Sequence, residues 1–123
     1  MESNQLANLV VEALEDLKAK DVQVISVGDI SSIADVMVIA SGTSNRHVKS
    51  LADHVELEAK KQGMRVIGVE GDDTAEWVLV DFGDVIAHIM LPATRAFYDL
   101  ESLWTLKPGS GTSGEEESSS VET

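Results

Sequence analysis

Five consecutive apolar residues, Val36-Met37-Val38-Ile39-Ala40, constrain the fold more than any other stretch of this chain. No polar residue interrupts the run and three of its members are β-branched, so it reads as a strand buried on both faces. Such a strand needs a covering layer above and below it. It is also the longest apolar run in the chain, and a bilayer takes about 20 residues to cross. The start, Met1-Glu2-Ser3-Asn4, lacks the basic and apolar regions of a secretory signal. The expectation is a cytoplasmic protein.

Periodicity supplies the other elements. Leu6, Leu9, Val10, Ala13, Leu14 and Leu17 fall on one stripe, which predicts an amphipathic helix over 3–19. Residues 22–27 alternate apolar and polar as a half-buried strand, which Gly28-Asp29 breaks. After the buried run, Thr43 or Ser44 caps a second helix reaching about 62, with Val48, Leu51, Ala52, Val55 and Ala59 as its stripe. Lys60 and Lys61 suit the negative end of its dipole, and Gly63 is a stop. Strands are predicted over 64–69, 76–80 and 85–91, the last two joined as an antiparallel hairpin through Asp81-Phe82-Gly83-Asp84. Pro92 opens a short helix through 98, and Leu100, Leu103 and Trp104 add an apolar segment. The order α-β-β-α-β-β-β-α implies an α/β (α+β) fold, a five-stranded mixed sheet flanked by helices. One domain over 1–107 is expected, followed by a disordered Gly/Ser/Glu tail over 108–123.

Charge narrows the partners. The formal net charge is −13, and four of the acids (Glu115, Glu116, Glu117, Glu122) lie in the tail, where there is no base. The body keeps 18 acids against nine bases, or −9. Such a surface repels a phosphate backbone and attracts a basic protein. No extensive direct contact with nucleic acid, and none with a membrane, is expected. With no cysteine, there is no disulfide and no thiolate chemistry.

Catalytic readings find little support. The turn Gly42-Thr43-Ser44-Asn45-Arg46-His47, between a strand and a helix, offers N–H groups, hydroxyls and cations to an anion, yet an ordinary turn with an N-cap explains it. It contains neither a phosphate-binding loop nor a dinucleotide fingerprint. Asp35, Asp81 and Asp84 border strands and could share a divalent metal, but aspartates flanking a turn usually serve its hydrogen bonds. His47 and His54 are seven apart, unlike the i, i+4 ligand pairs of zinc helices. Ser44, His47 and Asp53 lack the elbow of a serine hydrolase. The chain reads as a non-enzymatic binding module with no cofactor and no metal.

The five aromatic residues are Trp77, Phe82, Phe97, Tyr98 and Trp104. Along the hairpin, Trp77 and Leu79 face one side of their strand and Val78 and Val80 the other; in the next strand Val85, Ala87, Ile89 and Leu91 face one side, and Ile86, His88 and Met90 the other. Both faces are therefore largely apolar, and three helices are few to cover them. A leftover patch would serve a partner or a second copy, whereas Trp77 as plain core filling would leave none.

Several stretches resemble the ribosomal silencing factor (Iojap-related) family. They are Ile33-Ala34-Asp35, 38–48 (Val-Ile-Ala-Ser-Gly-Thr-Ser-Asn-Arg-His-Val), Gly68-Val69-Glu70-Gly71, 76–88 from Glu-Trp-Val-Leu-Val to Ile-Ala-His, and Arg95-Ala96-Phe97-Tyr98-Asp99-Leu100-Glu101-Ser102-Leu103-Trp104. The resemblance covers about 4–105 in order, far more specific than a lone motif. Val36-Met37 departs from the aromatic pair of many relatives, and the tail lies outside the match. The resemblance implies a nucleotidyltransferase-like shape without catalysis. It implies binding to the large ribosomal subunit through its ribosomal protein fourteen, steric blocking of small-subunit joining, and repression of translation under starvation or in stationary phase. It also implies a homodimer. The expected partner surface comprises Trp77, His88, Met90, Arg95, Tyr98 and Leu100, with Glu70 and Asp73 meeting basic groups. The competing expectation is a nucleotide-binding transferase built on Gly42–His47 with Asp35, Asp81 and Asp84; a third is a scaffold that uses its patch only for self-association.

Overall fold

A computed structural model describes residues 2–28 and 34–105, without the side chains of 103–105. The expected tail over 108–123, Asp29, and the side chains of Leu103 and Trp104 lie outside the described residues. The first apolar stripe folds as α1 (Ser3–Asp16), with Leu6, Ala7, Val10, Ala13 and Leu14 buried. It stops three residues short of the predicted end because Lys18 takes a left-handed φ of 63°, and the N–H of Ala19 turns back to the Leu14 carbonyl.

Strand β1 (Lys20–Ser26) pairs antiparallel with β2 (Val36–Ser41), with a register shift between Lys20 and Gln23. All six residues of β2 are buried, as its composition demands. Ser44 caps α2 (Asn45–Lys61), its hydroxyl accepting from the His47 N–H at 3.1 Å. Strand β3 is confined to Gly68–Glu70, shorter than the predicted 64–69. The Met64 N–H is still tied to the Ala59 carbonyl of α2, and β3 meets its partner only across Leu79 to Asp81. Strands β4 (Trp77–Asp81) and β5 (Val85–Met90) form the predicted antiparallel hairpin. Helix α3 (Pro92–Tyr98) follows, and the apolar segment after it is a further short helix, α4 (Leu100–Thr105).

The sheet order is β1-β2-β5-β4-β3, mixed because β2 and β5 run parallel. The two faces divide as the alternation predicts. Val36, Val38, Ala40, Val78, Val80, Val85, Ala87 and Ile89 join the stripes of α1 and α2 in one core. On the opposite face Ile25, Val27, Met37, Ile39 and Met90 form a second cluster, with Trp77 and Leu100 packed against it. Burying a large aliphatic side chain stabilises by about 2 kcal/mol, so both layers contribute to holding the sheet. Among the described residues no helix is long and apolar enough to cross a membrane.

Candidate docking site

The second face is capped at one end by aromatic residues. Trp77 opens β4 directly opposite Met90, the last residue of β5. Its indole Nε1–H donates to Nδ1 of His88 at 3.0 Å, with ring centroids 5.8 Å apart. That bond places the imidazole proton on Nε2, which is buried without a partner. Burial pushes the His88 pKa down from 6.5 to about 4, so the ring is neutral near pH 7.

Tyr98, at the end of α3, lies over Trp77 with centroids 5.0 Å apart, and Phe97 meets Tyr98 edge-on at the same separation. Tyr98 is 57% exposed and Phe97 81%. Aromatic pairs in these geometries attract each other by about 1 kcal/mol. Trp77 and Leu100 are half-buried beside them. An apolar surface is thereby presented to solvent on a packed support.

An acidic loop leads into Trp77 and leans on α2, where the Thr74 carbonyl accepts from Asn45 Nδ2 at 2.9 Å. Glu70, Asp72, Asp73 and Glu76 are all exposed in the connection from β3 to Trp77. Gly71 permits the approach: its φ is 84°, and a Cβ there would fall 2.1 Å from the Trp77 carbonyl oxygen. Asp73 Oδ1 accepts from the Thr74 N–H at 2.9 Å.

The eight expected partner residues divide by accessibility. Glu70, Asp73 and Tyr98 are exposed, and Trp77 and Leu100 are half-buried. Met90 is 0% exposed, His88 5% and Arg95 9%. Those three lie beneath the surface rather than on it. Arg95 is held by Ser41 Oγ at 2.9 Å and by both carboxylate oxygens of Glu101, at 3.1 and 2.8 Å.

The residues of the transferase reading are not all brought together. Asp35 and Asp84 meet at the start of the parallel pair, where the Asp35 N–H donates to the Asp84 carbonyl. They line a cavity of about 500 Å³ with Glu2, Ser3, Asn4, Ser26, Gly28 and Val36. The Gly42–His47 turn follows the other end of β2, roughly 17 Å away along the strand. Asp81 Oδ1 accepts from the Gly83 N–H at 2.8 Å, the turn role expected for aspartate. His47 bridges two backbone groups, the Thr43 N–H on Nδ1 and the Leu17 carbonyl on Nε2. Among the described residues no group of three His, Asp or Glu is placed to hold a metal ion.

The family model described as "Ribosomal silencing factor during starvation" matches residues 1–123, running through the tail that lies beyond the motif resemblance. The chain belongs to the ribosomal silencing factor family. A ribosomal silencing factor of Chromobacterium violaceum is 46% identical over 104 residues, 85% of this chain and 85% of its own length. A mouse protein named for mitochondrial assembly of the ribosomal large subunit is 38% identical over 103 residues, covering 81% of this chain and 45% of the mouse protein. A crystal structure of a Chromobacterium violaceum protein, 44% identical, superposes with a TM-score of 0.85 over 93% of this chain and 95% of that one.

Within this ribosomal silencing factor fold, sequence reasoning missed three residues that shape the surface. Phe97 is its most exposed aromatic, yet its position in α3 gave no way to tell an outward ring from an inward one. Ser41 and Glu101 are the partners of Arg95. A separation of six residues between Arg95 and Glu101 fits neither the i+3 nor the i+4 spacing of a continuous helix. The left-handed Asp99, φ 48°, breaks the helix and brings them together.

Proposed function

We propose that the chain represses translation by binding the large ribosomal subunit through its ribosomal protein fourteen and sterically blocking the small subunit. The aromatic surface of Trp77, Phe97 and Tyr98, with the exposed acids Glu70, Asp73 and Glu76 on the stretch that leads into Trp77, carries this reading. It pairs apolar anchors with negative charge, which suits a basic ribosomal protein better than RNA. Trp77, Tyr98 and Leu100 make the apolar contact, and Glu70 and Asp73 steer the basic partner. His88, Met90 and Arg95 support the surface from beneath. Steric occlusion requires no catalytic group and no cofactor. Repression under starvation agrees with the family's description, and engagement of the large subunit with the name of the mouse relative. The protein acts as one domain over 1–107, in the cytoplasm, and forms a homodimer when free.

Calorimetric titration with purified ribosomal protein fourteen tests the assignment. Saturable binding that Trp77→Ala and Tyr98→Ala each weaken supports it. Unaltered binding by both folded variants contradicts the surface.

A further inference from the structure

Tyr98 is the last residue of α3, and Asp99, in the left-handed conformation, separates it from α4. Aspartate is among the few residues with a side chain that enter this region readily. The Asp99 N–H donates to the Arg95 carbonyl at 2.9 Å, closing α3, and the Ser102 N–H donates to the Asp99 carbonyl at 3.2 Å. The two short helices thus meet in an elbow at the position next to the exposed aromatic pair. Neither is long enough to be stable by itself.

One buried cation spans the elbow. The Arg95 guanidinium, on α3, forks onto both carboxylate oxygens of Glu101, on α4. Its remaining arm donates to Ser41 Oγ, the last residue of β2. The Arg95 side chain is 10% exposed and that of Glu101 23%. A forked arginine–carboxylate pair is both stronger and more directional than a single charged contact. It ties α3, α4 and the central parallel pair together at one point.

We infer that the Arg95–Glu101 pair is a positioning device: it locks the elbow so that Tyr98 lies on Trp77 and the docking surface is formed before the partner arrives. The link to docking rests on the function proposed above; the lock itself does not. Binding to a preformed surface avoids the ordering cost of the side chains that make contact. Opening the elbow frees Tyr98 and Phe97, and the partner must then order both.

The test reads the free protein and the complex separately. Glu101→Gln keeps the shape of a partly exposed side chain and removes its charge, so the core is untouched. Proton NMR of the full chain follows the ring-to-ring contact between Trp77 and Tyr98, and titration with purified ribosomal protein fourteen gives the affinity. The expected result is loss of the ring contact and about tenfold weaker binding. Arg95→Lys, which keeps the charge but cannot fork, is expected to do the same. Arg95→Glu combined with Glu101→Arg restores both readouts, because the Ser41 hydroxyl can donate to a carboxylate at 95. A ring contact that survives Glu101→Gln overturns the lock. A lost contact with unchanged affinity overturns its part in docking. If Trp77→Ala is then silent as well, the docking surface fails and the lock alone stands.

Discussion

The Trp77 indole donates to Nδ1 of His88, 3.0 Å away, across the β4–β5 pair. A half-buried ring at the aromatic surface is thereby oriented by one buried beneath it. Removing the acceptor with His88→Ala also opens a void in a buried layer. It is expected to destabilise the fold by about 2 kcal/mol or more. Urea unfolding measures this, and His88→Asn, whose amide oxygen can replace Nδ1, should recover part of the loss.

His88 also gives the fold a pH dependence of defined sign. Its pKa falls from 6.5 to about 4 on folding, because burial disfavours the charged ring. The unfolded chain therefore binds a proton more readily than the folded one. The contribution is fully present above pH 6.5 and is lost progressively as pH falls toward 4. About 3 kcal/mol is at stake over that window. Urea unfolding at pH 7 and pH 4 should show a smaller drop for His88→Asn than for the parent chain.

Gly71 sets the acidic loop against the first residue of β4. Any side chain there meets the Trp77 carbonyl oxygen and must also hold a φ of 84°. Gly71→Ala is expected to cost more than about 2 kcal/mol. Thermal unfolding with circular dichroism reads the loss. A variant as stable as the parent would show that the loop can move away from Trp77 at little cost.

Charge and apolar anchors should separate in the kinetics. Glu70→Gln with Asp73→Asn is expected to slow association with ribosomal protein fourteen several-fold and leave dissociation nearly unchanged. Trp77→Ala should instead speed dissociation and weaken binding about 30-fold, equivalent to about 2 kcal/mol. Surface plasmon resonance at two salt concentrations resolves both, the first effect shrinking as salt rises.

Much of this architecture was legible from local patterning. The buried run of β2, the 3.6-residue stripes of α1 and α2, and the alternation that divides Val78 from Trp77 are consequences of neighbours in sequence. Element ends were less legible, because they depend on contacts the sequence does not display: β3 pairs with only Leu79 to Asp81 of β4 before Gly71 turns the chain, and α1 ends where Lys18 turns left-handed. The candidate surface was legible in residue type but not in depth. Trp77 and Tyr98 read as anchors, while Met90, His88 and Arg95 carry equally suitable side chains that the fold places underneath. Arg95 in particular was expected at the partner surface, and only the break at Asp99 brings Glu101 within reach of it.

Asp35 and Asp84 offer a control on the catalytic alternative. They sit at the opposite end of the parallel pair from Arg95 and the Gly42–His47 turn. Asp35→Asn with Asp84→Asn is expected to leave ribosome-subunit binding within about twofold of the parent, since neither lies on the aromatic surface. Co-sedimentation with large subunits measures it.

Steric silencing is tested by sucrose-gradient sedimentation of separated ribosomal subunits, mixed with and without this protein. The protein is expected to travel with the large subunit and to lower the joined-ribosome peak, and Trp77→Ala to do neither as well. Protein remaining at the top of the gradient, with joining unchanged, would contradict it.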